Sequence, residues 1–561
     1  MLARPTKNRV FISAVAMMAI AFVYFGNQLR LDFAMNAYKR GMELQKERKT
    51  EEAVASYRQA ILLNSTHAES YYELGWSYWV LEQWDQVINT WETALDLNIK
   101  NKMLPGYLKQ AHDHKAGKLA RLVRVPIGTR AEQKTVLPKH SSRLSLELTA
   151  RFQEYNPKTK HPSDVFDHEV LSPKSVQFHP SEDKIYVNAL EGYRTIIYDY
   201  HSFKKVGQII HRFGEEDAHL FASPGKKNKP WLAFPKSLKK NPQLFSGKPV
   251  ESAFSADGHY LWVPYYRRSF DRYSSLPSAV ALIDAKTDKI VRLFDTGPIP
   301  KYVTSSSDGK WLAVTHWGDN TVGFIKTMGE PSSYEYSKLV VVGKRIELND
   351  IDTQDRDHNC GNCLRGTVFS KDNKFLFVAR MGGGGIAVID VKKGKHLGTV
   401  RGMRPTPRHV VLSPDGEFLY ISSNFSGVVS KYRTSDLIGA AKKGQKKLEP
   451  LLEVSTGQAT RTIALSPDGE TIYAAVNKES KIAVVDATTL TYLFDIAADS
   501  YPVGMDVSPD GTQLWVTAQG RKARGGNSVM IYRIEKIESD PSASTVALDN
   551  IKWPGKKVAV N

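Results

Sequence analysis

Two cysteines, Cys360 and Cys363, are the only ones in 561 residues, and both lie in the stretch "DHNCGNCLRG". A pair at this spacing can close a disulfide, act as a redox dithiol, supply metal ligands or carry a covalent haem. Haem attachment requires a histidine directly after the second cysteine, and Leu364 stands there instead. Metal binding would combine the pair with His358 and an outside donor, since "HNCGNC" offers three donors but no second pair. A redox-active dithiol opens a helix after a strand, which this segment does not do. In an oxidising compartment the expected state is a local disulfide between Cys360 and Cys363.

A second set of chemically capable residues recurs with a turn. The turn reads "SADG" at Gly258, "SSDG" at Gly309, "SKDN" at Asn373, "SPDG" at Gly416, Gly469 and Gly511, and degenerately "HPSE" at Glu182. Eight residues before each of these stand Lys174, Val250, Lys301, Arg365, Arg408, Arg461 and Val503. Five of the seven are cations, where 77 Lys and Arg in 561 residues would place about one. Such a group pairs with carboxylate or phosphate, because guanidinium forks match these anions bidentately. The strand after each turn ends near the same level, adding Tyr265, Tyr266, His316, Trp317, Arg380, Met381, Asn424, Asn477 and Gln519. His409, beside Arg408, completes the candidate ligand-binding set. Basic side chains at strand starts also hydrogen-bond loop carbonyls or pair with nearby carboxylates, so a purely structural role stays open. No Ser-His-Asp order, carboxylate pair or H-E-x-x-H motif stands out. "MGGGGIA" at 381–387 lacks the Gly-Lys-Ser/Thr of a phosphate loop and reads as a hairpin turn.

The elements that position these residues follow from the turns. Each turn precedes a β-rich run: "KIYVNA", "YLWVPY", "WLAVTH", "FLFVAR", "FLYISS", "TIYAAV" or "QLWVTA". Proline fixes φ and glycine tolerates positive φ, so Pro-Asp-Gly is hairpin chemistry. Seven hairpins spaced by 42 to 76 residues predict a seven-bladed β-propeller over 166–540, with the cations ringing one mouth of its channel. "GMRPTPRHVVLSPDGEFLYISSNFSGVVSKY" and "RTIALSPDGETIYAAVNKESKIAVVDATTLTYLFDI" closely resemble the YVTN family of bacterial propellers. That resemblance implies the fold; it leaves function open, because such propellers include binding proteins and enzymes alike.

The amino-terminal half adds two further elements. Arg4, Lys7 and Arg9 precede an uncharged apolar run from Val10 to Phe25, the length of a signal peptide or a short anchor. Because the run continues through Phe25, the expectation is an uncleaved signal anchor over 10–26 with a cytoplasmic flank at 1–9, with cleavage after the small residues near Ala19 and Ala21 as the alternative. From about residue 34 the sequence repeats every 34 residues, matching Gly41 to Gly75, Tyr57 to Trp91 and Ala60 to Ala94. "AESYYELGWSYWVLEQWDQVINTWETALDL" resembles tetratricopeptide repeats, which implies helical hairpins over 31–112 that dock a protein, with "NKMLPGYLKQAHDHKAGKL" as a capping helix. Residues 113–165 read as a basic linker containing one strand, "RLSLELTARF", and 541–561 as a tail.

The net charge of +18 favours anionic partners, and export makes nucleic acid an unsuitable one. The expectation is a multidomain chain: a transmembrane helix, all-α tetratricopeptide hairpins, then an all-β propeller. It places the protein in a bacterial inner membrane, spanning once, with its bulk in the periplasm or otherwise outside the cytoplasm. The expected role is a non-catalytic scaffold that docks a protein partner and binds an anionic glycan, peptide or small molecule in the funnel. The alternative is an enzyme or electron-transfer protein, since similar propellers include the haem d1 domain and sugar lactonases. No cofactor is called for on the leading reading; the alternative would use haem on His316 or His409, or a metal.

Overall fold

The computed structural model describes residues 28–45, 47, 49–81, 83–101, 104–115, 135–136, 142–159, 164–221, 234, 241–347, 355–520 and 527–538. The expected anchor, most of the linker and the tail lie outside these residues. No described helix is long and apolar enough to cross a membrane.

Among the described residues five helices come first, over 28–45, Thr50–Leu63, Ala68–Val80, Trp84–Asp96 and Leu104–Lys115. From Thr50 onward each helix packs against the next. The 34-residue period has a steric origin. A Cβ on Gly41 would sit 2.6 Å from the Tyr57 ring, and one on Gly75 would sit 2.2 Å from the Trp91 indole, so glycine on one helix admits the aromatic of another. Trp91 is fully buried and its indole N–H donates to the Tyr72 carbonyl at 3.1 Å. Tyr107 of the last helix packs against Trp76 with ring centroids 5.0 Å apart.

Among the described residues seven sheets follow, antiparallel except where Asp164–Phe166 runs parallel to Ser142–Gln153, built on innermost strands that begin at or near residues 173, 250, 300, 364, 407, 460 and 502. The repeated turn is held by its own side chains. In the fifth blade Ser413 Oγ accepts the Phe418 N–H at 2.9 Å, Asp415 accepts the Glu417 N–H at 2.9 Å, and Gly416 takes φ +80°. Ser466, Asp468 and Gly469 repeat that arrangement in the sixth. Apolar faces of neighbouring blades interlock, as where Trp262 and Leu282 of the second share a core with Val303, Leu312 and Val314 of the third.

The strand that the sequence reading leaves in the linker belongs to the propeller. Ser142–Gln153 pairs antiparallel with Ser528–Glu538 and forms an outer strand of the seventh blade, so the sheet begins well before residue 166. Leu144, Leu146 and Leu148 bury their side chains there. The amino-terminal strand thereby closes the ring on the carboxy-terminal blade, leaving fewer unpaired edge groups.

Candidate functional site

Six of the seven innermost strands start with the same irregularity. The ladder register slips between Pro173 and Ser175, Pro300 and Tyr302, Leu364 and Thr367, Pro407 and His409, Thr460 and Ile463, and Pro502 and Gly504. Lys174, Lys301, Arg365, Arg408 and Arg461 all fall in these slipped stretches. A bulge leaves a residue out of the pairing and re-aims its side chain, which explains how five cations leave the blade faces and meet at one end of the channel.

They do meet there. Arg365 Nη2 lies 3.1 Å from Glu251 Oε1, and Lys174 Nζ lies 3.9 Å from the same oxygen, so one carboxylate bridges the first and fourth blades from the second. The Lys174 and Arg365 side chains are 6% and 5% exposed. Burial, then repulsion from Arg461 and Arg365, holds Lys174 well below the ordinary lysine range, with Glu251 opposing. Arg408 is lowered in the same way, by burial and by Arg461 and Arg365. Lys301 pairs with Asp357 at 2.8 Å and sits over the rings of Tyr266 and Trp317, at 4.1 and 5.1 Å. Burial pushes it down to about 8 although Asp357 opposes the shift.

Arg408 and Arg461 differ from the other three. Neither has a carboxylate partner among the described residues. Arg408 donates to Met381 Sδ at 3.3 Å, while Arg461 lies 5.7 Å from the Tyr501 ring and its buried Nε has no acceptor. Five cations thus face two carboxylates, Glu251 and Asp357. Neither carboxylate is in the set chosen from the sequence. Glu251 had a signal one residue along: seven before the turn glycine stand Ser175, Glu251, Tyr302, Gly366, His409, Thr462 and Gly504. Tyr302 and His409 meet across the ring at 3.1 Å.

Several candidates hydrogen-bond to neighbouring blades. Asn477 Nδ2 donates to the Pro502 carbonyl at 2.8 Å and Asn424 Nδ2 to the Thr460 carbonyl at 3.1 Å, stapling each blade to the next. Gln519 reaches Ser172 Oγ at 2.8 Å and joins the seventh blade to the first. Arg380 donates to Asn362 and to the Gly384 carbonyl, bracing the cysteine loop against the glycine hairpin. Trp317 donates to the Asp357 carbonyl at 3.0 Å and walls the Lys301 pocket.

His316 is fully buried inside its blade. Its Nε2 accepts the Gly297 N–H at 3.2 Å and its Nδ1 lies 2.7 Å from Thr321 Oγ1. His409 is also engaged at both nitrogens, by Tyr302 and by the Ile463 N–H, and burial pushes it down to about 4. Neither imidazole has a nitrogen to give an axial bond, so these residues do not fit haem ligation. Among the described residues no three His, Cys, Asp or Glu side chains are grouped to hold a metal.

Cys360 and Cys363 are joined as a disulfide, with Cα atoms 4.9 Å apart. His358 points elsewhere, toward Asp355 at 3.7 Å. The loop carries Asp357 onto Lys301 and abuts the hairpin so closely that a Cβ on Gly382 would lie 2.0 Å from the Gly361 carbonyl oxygen.

Similarity to known proteins is partial. A family model described as "Lactonase, 7-bladed beta-propeller" matches residues 279–542, just under half of the chain. Antigen Lp49 of Leptospira interrogans serogroup Icterohaemorrhagiae serovar copenhageni is 25% identical over 248 residues, 40% of this chain. The match spans half the length of that relative. Among solved structures, Kuenenia stuttgartiensis hydrazine synthase aligns at 14% identity and TM-score 0.45 over 69% of this chain and 99% of that one. The β-propeller domain of Myceliophteria thermophila Cps50 (Swd1) aligns at 12% and 0.45 over 65% and 96%. What the family match supports for this chain is the seven-bladed propeller.

Proposed function

We propose that this is a non-catalytic binding protein of the bacterial cell envelope whose propeller receives an anionic ligand at the mouth ringed by Lys174, Lys301, Arg365, Arg408 and Arg461. The observation that carries the reading is the charge imbalance: two arginines stand without a carboxylate in a site where like charges repel at short range. An anion there offsets repulsion and gives the guanidinium groups the acceptors they lack. The helices, read as tetratricopeptide hairpins, dock a protein partner. The basic flank and apolar run at the amino terminus support an inner-membrane anchor, and the disulfide suits a periplasmic location. Native mass spectrometry of the protein from its host's envelope fraction tests the binding reading. A bound anionic species, lost in the Arg408→Gln/Arg461→Gln variant, is the expected result, and equal occupancy in both proteins removes it.

A second reading, a hydrolytic enzyme, is favoured by the lactonase-type family match. Its candidate acid is Asp506 on the innermost strand of the seventh blade, which burial pushes up to about 7. Turnover of lactone substrates that disappears in Asp506→Asn would move the weight to that reading.

A further inference from the structure

The geometry points to a compact oxyanion carrying two negative charges as the ligand of this mouth, clamped between Arg408 of the fifth blade and Arg461 of the sixth. The inference rests on the anion-binding reading above and specifies its chemistry. Innermost strands Pro407–Leu412 and Thr460–Leu465 are packing neighbours, so the two arginines start side by side on the ring. The other three cations are already engaged: Lys174 and Arg365 share Glu251, and Lys301 holds Asp357. Arg408 makes its one hydrogen bond, among the described residues, to a thioether, a weak acceptor. Arg461 leaves a buried Nε without any. Buried donors of this kind are costly until an acceptor arrives. An anion with two or more oxygens can serve both forks at once.

Charge sets the valence. Five cations against Glu251 and Asp357 leave a surplus of three. Lys174, Arg365 and Lys301 already share those two carboxylates, so the charge left without a carboxylate partner among the described residues is that of Arg408 and Arg461, two in all. A single negative charge leaves repulsion between the arginines, whereas two nearly balance the site. Phosphate monoesters and dicarboxylates share this chemistry. Polymeric anions are disfavoured because Tyr302 and His409 close the ring from the third blade to the fifth just beside the clamp.

Isothermal titration of the full chain with inorganic phosphate, succinate and acetate at equal ionic strength separates the outcomes. The expected result is that phosphate or succinate binds at least about tenfold more tightly than acetate, since a second charge near a desolvated cation is worth that much or more. Preference for phosphate or for succinate identifies the source. Arg408→Gln/Arg461→Gln, checked for folding by circular dichroism, should erase the difference between charges. Equal affinity for acetate and both dianions overturns the two-charge inference while leaving an anion site in place. No binding by any of the three, at millimolar concentration, overturns this inference together with the reading beneath it.

Discussion

At the scale of single residues the mouth of the propeller stores electrostatic stress that should be visible in folding. Burial pushes Lys301 down to about 8 in the folded chain, although Asp357 lies 2.8 Å away. The unfolded chain holds that proton until about pH 10.4. Between these values the unfolded state binds more protons, so stability rises with pH through that window. For Lys301 alone the rise amounts to about 3 kcal/mol, at roughly 1.4 kcal/mol for each pH unit between the two titrations. Lys174, lowered by burial and by its guanidinium neighbours, adds to the rise. Above about pH 10 the buried phenols, Tyr302 among them, work in the opposite direction, because burial raises their titration and only the unfolded chain ionises. Urea unfolding at intervals from pH 7.5 to 10 should therefore show increasing stability, and Lys301→Met should flatten much of the slope. A wild-type curve that is level or falls across this range contradicts the charge assignment at the mouth.

At the scale of elements, the part of the fold carried by local chemistry was legible. Ser-x-Asp-Gly turns, alternating strands and the 34-residue period each express a contact made within about one blade or one helical hairpin. Hence the propeller, its seven hairpins and the positions of Lys174, Lys301, Arg365, Arg408 and Arg461 could be read directly. What could not be read depends on distant pairing. Ser142–Gln153 meets Ser528–Glu538 across nearly the whole propeller sequence, and nothing in "RLSLELTARF" names its partner. Likewise Glu251 reaches Arg365 from two blades away, and Asn477 finds a carbonyl on the next blade rather than a ligand. The closure strand makes its own prediction. Leu146 is fully buried in the core of the seventh blade, so Leu146→Ala should destabilise the propeller by about 2 to 5 kcal/mol even though it lies in a segment that reads as linker. Chemical denaturation followed by far-ultraviolet circular dichroism of the β-sheet signal measures this. A loss below about 0.5 kcal/mol, the size of a surface substitution, would show that the strand is not an integral part of the ring.

At the scale of the whole molecule, the two repeat systems bury separate cores. The helical cluster draws its buried members from Leu44 to Ala111. The seven other clusters draw theirs from Leu144 to Ile534, and none mixes helical and propeller residues. Each system also closes by its own means, Leu104–Lys115 covering the helical stack and Ser142–Gln153 completing the ring. Cooperativity follows shared burial, so melting one system exposes little of the other's apolar surface. Scanning calorimetry of the full chain should resolve two transitions. The smaller is assigned by far-ultraviolet circular dichroism as loss of helix. Gly75→Val, which forces a branched side chain into the space of the Trp91 indole, should shift that transition alone. Ligands at the propeller mouth should shift only the other, because a ligand stabilises the unit that binds it. One transition displaced equally by the substitution and by an anion would mean that the helices and the propeller unfold as a single unit despite their separate cores.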